Sequence, residues 1–81
     1  MHESKFEFIE NCLLHLYLSI SMNGGHHSVA KRNKILIAYL KPKVKLAKFK
    51  FIKSEIKSML AIAKNKDGDL EDNLIDSYKS R

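Results

Sequence analysis

The sequence predicts an all-α fold: a small antiparallel bundle of three to four helices, joined to a second copy as a homodimer with coiled-coil-like packing. Three observations predict it. Apolar residues recur at intervals of three and four in two long stretches. Asparagine, glycine, serine and proline punctuate the ends of those stretches. The one strand-like stretch, KVKL followed by KFKF, alternates out of phase with itself. With 81 residues the chain forms one small domain whose buried surface alone is marginal, so self-association is expected, the alternative being that an intramolecular core absorbs both stripes.

The first helix is predicted from about residue 4 to 22, with Phe6, Ile9, Leu13, Leu16 and Ile20 on one face. Ser4 and Glu7 form a capping-box pair at its start. Asn23, Gly24 and Gly25 stop it, because these residues tolerate the left-handed conformation that ends helices. Ser28 caps a second helix reaching about Leu40, with Val29, Leu36, Ile37 and Leu40 inward and Lys31, Arg32 and Lys34 in water. Pro42 closes it and pushes Lys41 away from helical angles.

A third helix is predicted from about residue 46 to 65, since Phe49, Ile52, Ile56, Met59 and Ala63 again step by three and four and Leu60 widens the face. Asp67-Gly68 makes a turn. Asp69 and Asp72 then cap a short last helix with Leu70, Leu74, Ile75 and Tyr78 on its apolar side. Residues 1–66 thus read as a helical domain and 67–81 as an acidic C-terminal helix or tail. The core or dimer seam is drawn from Leu13, Leu16, Ile20, Leu36, Leu40, Phe49, Ile52, Ile56, Met59 and Leu60.

Charge is segregated along the chain. The net charge is +6, yet no acid occurs between Glu10 and Glu55, while Asp67, Asp69, Glu71, Asp72 and Asp76 crowd ten residues that hold no base. Ten basic residues, Lys31, Arg32, Lys34, Lys41, Lys43, Lys45, Lys48, Lys50, Lys53 and Lys57, are therefore candidates to contact nucleic-acid phosphates, or else an acidic protein surface. Lysine outnumbers arginine, which favours charge attraction over bidentate base reading and predicts weak sequence preference. The same segregation predicts that residues 67–76 fold back on the lysine-rich stretch and compete with DNA.

Other chemistries lack their partners. Cys12 and His15 share a helix face and His26-His27 follows, but paired zinc-ligand spacing is missing. Asn23-Gly24-Gly25 has neither the preceding strand nor the Gly-Lys-Ser/Thr ending of a phosphate loop. A calcium loop centred on Gly68 would need ligands where Ala63 and Leu74 stand. No nucleophile lies beside a base and an orienting group, so the chain reads as a non-enzyme without cofactors. A single cysteine, the absence of a basic-then-apolar leader and the lack of about 18 consecutive apolar residues point to a cytoplasmic protein that does not enter the membrane.

With this frame, the anchors Leu13, Leu16, Tyr17 and Ile20, then Gly24 and Ser28, then Leu36, Ile37 and Leu40, then Ile52, Ile56 and Leu60 are similar in spacing to the YmgB/AriR family of small helical regulators, which includes the YcgZ and YmgA types. The register runs ungapped from about residue 10 to 62. The Gly25-His26-His27 stretch, the lysine density of 41–57 and the acidic segment after Lys66 depart from that family. The resemblance implies an all-helical homodimer with a regulatory role in biofilm formation, acid resistance and stress, by weak DNA binding or as a connector to a partner. It brings no catalytic residues. A phage- or plasmid-type inhibitor or adaptor without DNA binding is the competing reading. A third is a TerB-like helical domain, to which the two DG-like turns after apolar helices are similar, although the spacing after each turn differs.

Overall fold

The computed structural model describes residues 4–22, 24, 27–65 and 68–80. The expected roles of Asn23, Gly25, His26, Lys66 and Asp67 lie outside the described residues. Among the described residues the secondary structure is entirely helical: α1 (Lys5–Met22), α2 (Val29–Leu40), two 3-10 segments (Lys41–Lys45 and Ala47–Ile52), α3 (Lys53–Lys64) and α4 (Leu70–Lys79). No described helix is long and apolar enough to cross a membrane.

Helix starts follow local chemistry. The Glu7 amide donates to Ser4 Oγ at 3.1 Å, the Lys31 amide to Ser28 Oγ at 3.3 Å, and the Asp72 amide to Asp69 Oδ1 at 3.4 Å. Each cap satisfies an amide that the first helical turn leaves unpaired. After α1, Gly24 takes φ +79°, a conformation that costs any residue with a Cβ.

The stretch after α2 departs from expectation. Lys41 has helical angles, φ −55° and ψ −48°, and its amide still donates to the Ile37 carbonyl. Pro42 does not turn the chain away; it sits in the first turn of the 3-10 segment that continues α2, and the N–H it lacks interrupts the α-helical ladder where the geometry tightens. The break comes at Leu46, which is extended with ψ 134°. Ala47–Ile52, expected as the start of the third helix, is 3-10. In that geometry residues three apart eclipse, so Phe49 and Ile52 share one edge and both are buried. Lys48 and Phe51 share another and are exposed. This resolves the out-of-phase KFKF pattern, which is neither strand nor α-helix.

One core gathers Phe8, Ile9, Cys12, Leu16, Leu36, Leu40, Phe49, Ile52, Ile56, Met59, Ala63, Leu70 and Leu74. Seven of the expected seam residues belong to it; Leu13, Ile20 and Leu60 pack against its edge, partly buried. These residues therefore meet one another within a single chain. On α1 the buried face is rotated toward Phe8 and Cys12, while Phe6 is only half-buried. Phe8 and Phe49 pair their rings at 5.2 Å and 58°, an inclined arrangement that aromatic quadrupoles favour. On α2, Val29 is 38% exposed and Ile37 half-buried, so neither is central. Leu70 and Leu74 are fully buried, which makes α4 a wall of the same core instead of a separate tail. The radius of gyration, 12.3 Å, matches the about 12 Å of one packed domain of this length.

The polar centre of the fold is Asn33, 5% exposed. Its Nδ2 donates to the carbonyls of Ala63 (3.3 Å) and Gly68 (2.8 Å), and its Oδ1 accepts from the Leu70 amide at 3.1 Å. One α2 side chain thereby satisfies a last-turn carbonyl of α3 and the first amide of α4. Gly68 is required at this junction, because a Cβ there would collide with the carbonyl oxygen of Ile62.

Three substitutions test stability, two at this junction and one at the turn after α1. Asn33→Ala orphans three backbone groups and should lower unfolding free energy by about 2–4 kcal/mol in urea denaturation; a loss under about 0.5 kcal/mol, the range of a neutral surface change, would contradict the bridging role. Gly24→Ala, where nothing lies near the added methyl, should cost about 1–2 kcal/mol from backbone conformation alone. Gly68→Ala should cost more than that, and equal midpoints for the two variants would show that the α3–α4 junction is looser than described.

Candidate nucleic-acid interface

The lysines are arranged in two ridges that meet at the turn after α2. Along the outer face of α2, Lys31, Lys34, Ala38 and Lys41 step by three and four residues and are all exposed. The second ridge starts in the 3-10 segments with Lys45, Lys48 and Lys50 and runs into α3 through Lys53 and Lys57, which lie one turn apart; all five are exposed. Among the described residues none of these lysines has a carboxylate within salt-bridge distance; the two ion pairs there both belong to Arg32. Glu55, the one acid inside the stretch, is 3.3 Å from the Ser54 hydroxyl that donates to it.

Aromatic rings lie among the charges. The Lys43 ammonium is 3.9 Å from the centroid of Tyr39, which also stacks on His15 at 4.4 Å. Lys48 lies 5.0 Å from the Phe49 ring. Such contacts contribute about 0.5–1 kcal/mol each and hold the lysine stems along the core edge. Lys43 is half-buried by this arrangement, and so is less open to a phosphate than its neighbours. Phe51, 52% exposed, and Leu46, 45% exposed, stand between the lysines. Neither was expected to have a role: Phe51 falls on no α-helical stripe, and Leu46 stands at the expected start of the third helix, three residues before Phe49.

Arg32 is a correction to the candidate set. It does not project into water: its side chain is 14% exposed. Nη1 donates to the His27 carbonyl at 2.6 Å, Nη2 to Asp69 Oδ2 at 3.2 Å, and Nε is 3.0 Å from Glu71 Oε1, a charge contact without hydrogen-bond alignment. The guanidinium fork spans three acceptors, which a lysine cannot do. Its role is to fasten the start of α2 to the start of α4.

The same contacts correct the expected fold-back of the acidic segment. Asp69 and Glu71 turn toward Arg32, and Asp69 also caps its own helix. Cutting the chain after Lys66 would remove Leu70 and Leu74 from the core, so the truncation would unfold the domain before it exposed any basic surface. Asp72 and Asp76 remain exposed on α4.

Cys12, His15 and His27 occupy separate places. Cys12 lies in the core, His15 stacks on Tyr39, and His27 is buried at the start of α2 beneath its contact with Arg32. Of the anchors that carry the regulator-like spacing, Leu16, Leu36, Leu40, Ile52 and Ile56 are core residues, whereas Tyr17 is 51% exposed.

No curated protein and no solved structure matches the chain. A family model described as "Protein of unknown function (DUF2913)" matches residues 2–80. The match spans the helices, the junction and both lysine ridges alike, and the chain therefore belongs to the DUF2913 family.

Proposed function

We propose that this chain is a small non-enzymatic regulator that acts as a homodimer and holds DNA through its lysine ridges with little sequence preference. One observation carries the reading: from Lys41 to Lys57 the exposed lysines stand without acid partners among the described residues. A surface of that kind repels itself and gains free energy when phosphates replace its counterions. The one arginine of the basic stretch is consumed by the fold, so the planar fork best suited to bidentate base contacts is missing from the ridges. Exposed Phe51 between Lys50 and Lys53 adds a ring on which an unpaired base can stack. The stress or biofilm role rests on the resemblance in anchor spacing to the YmgB/AriR regulators, which lies in the helix frame and not in the lysines.

Titration of a duplex at about 50 and 200 mM salt tests this. About four phosphate contacts predict a roughly hundredfold loss of affinity between the two conditions. Replacing Lys48 and Lys50 together by glutamate should weaken binding equally on unrelated sequences and lower the salt slope by about two. Binding that ignores salt, or none at 50 mM, would sink the phosphate-contact reading and leave the adaptor that docks on an acidic protein.

A further inference from the structure

On the side opposite its buried face, α1 carries a second apolar stripe. Leu14, Tyr17, Leu18 and Met22 are 54, 51, 56 and 86% exposed. Their steps of three, one and four place them on one face. From Asn11 to Met22 the helix has no Lys, Arg, Asp or Glu. The exposed faces of α2 and α3 carry lysines, that of α4 carries Asp72 and Asp76, and Glu7 and Glu10 precede the stripe on α1, so among the described residues the stripe is a helical face without charge beyond Glu10 in a strongly basic molecule.

From this arrangement we infer that the stripe is the seat of a second copy of the chain, packed antiparallel through α1 against α1. The argument for that occupant is electrostatic and geometric. DNA and acidic proteins are drawn to the lysine ridges, not to an uncharged face. A lipid surface prefers an apolar helix flanked by Lys and Arg on its polar side, which this segment lacks. Two chains of charge +6 associate with least repulsion where neither presents a lysine or arginine.

The face is also complementary to itself. An antiparallel crossing centred between Leu14 and Leu18 sets Leu14 of each copy against Leu18 of the other. It brings the most exposed knob, Met22, over the groove that Glu10, Leu13, Leu14, Tyr17 and Tyr78 line between α1 and α4. The Tyr78 hydroxyl donates to Glu10 Oε2 at 3.0 Å, so the rim of that groove already has its carboxylate engaged. The knob and all of the groove's lining except Tyr78 belong to α1, about 12 Å apart along its axis, and one copy carries both, as an isologous two-fold contact requires. The helix is about 27 Å long, and one such face falls short of the about 800 Å² per partner of a standard interface. The dimer is thus concentration-dependent, with each copy already folded around its own core.

The surface rests on the dimeric reading above, and the experiment separates the two. Light scattering over a concentration series should give twice the 9.4 kDa of one chain at the top of the series. Leu18→Glu, on the exposed face, should return the mass to that of one chain with an unchanged helical circular-dichroism spectrum; Tyr17→Glu serves the same end if that variant fails to fold. The double variant Leu14→Lys/Leu18→Glu sets opposite charges across the antiparallel pair and should restore the dimer. A dimer that persists in both glutamate variants overturns the α1 surface while the dimeric reading stands. A double variant as monomeric as the single one overturns the antiparallel pairing. A wild-type chain that stays at one-chain mass throughout overturns the surface and the dimer together, whatever the DNA titration shows.

Discussion

A single buried carboxamide sets the terms for the rest of this molecule. Helix ends carry backbone groups that cannot be left dry without a partner, and the end of α3 and the start of α4 both face the interior beside α2. Asn33 supplies the partners for both, two donors toward carbonyls and one acceptor toward an amide. That geometry demands a close backbone approach at Gly68, where no side chain fits. It also brings Asp69 and Glu71 within reach of the neighbouring Arg32. With α4 held there, Leu70 and Leu74 can close the core. Much of the small domain's packing therefore hangs on polar groups, even though apolar burial supplies most of the driving force.

The division of labour between charged residues follows from the same junction. Arginine, with a planar fork of donors, is the residue suited to joining a carbonyl and two carboxylates in a partly buried place. Lysine, a hydrated point charge on a flexible stem, stays outside and lays its stem along ring faces, as Lys43 does on Tyr39 and Lys48 on Phe49. The acids of the C-terminal segment nearest the junction are used as a cap and as Arg32 partners. What remains is a surface of two characters: basic ridges along α2, the 3-10 turns and α3, and a neutral apolar stripe on α1.

Parts of this were legible along the chain because their causes are local. Ser4, Ser28 and Asp69 cap helices through atoms three residues away, and such contacts do not depend on how the helices later pack. The inward residues of α3 were equally plain, since Lys53, Ser54, Lys57 and Ser58 mark the opposite face. On α1 the marking fails: after Glu10 no charged residue labels the wet side, so several apolar stripes fit the same helix, and the true one includes Phe8 and Cys12. The turn after α2 was obscured for a different reason. Over six residues a period of three cannot be told from one of 3.6, and Pro42 permits either a break or a 3-10 continuation.

The sequence by itself determined the all-helical class, where α1, α2 and α4 start, the stop at Gly24, and the separation of basic from acidic segments, because propensity, capping and charge are properties of neighbours. Only the tertiary structure decided that Arg32 faces inward, that Asn33 is buried, that Phe49 and Ile52 reach the core from a 3-10 turn, and that the apolar stripe left outside is the one on α1. These outcomes depend on contacts between residues more than thirty positions apart, such as Arg32 with Asp69 and Asn33 with Leu70. Such contacts exist only once the helices are assembled, and nothing in the local pattern around either partner announces the other.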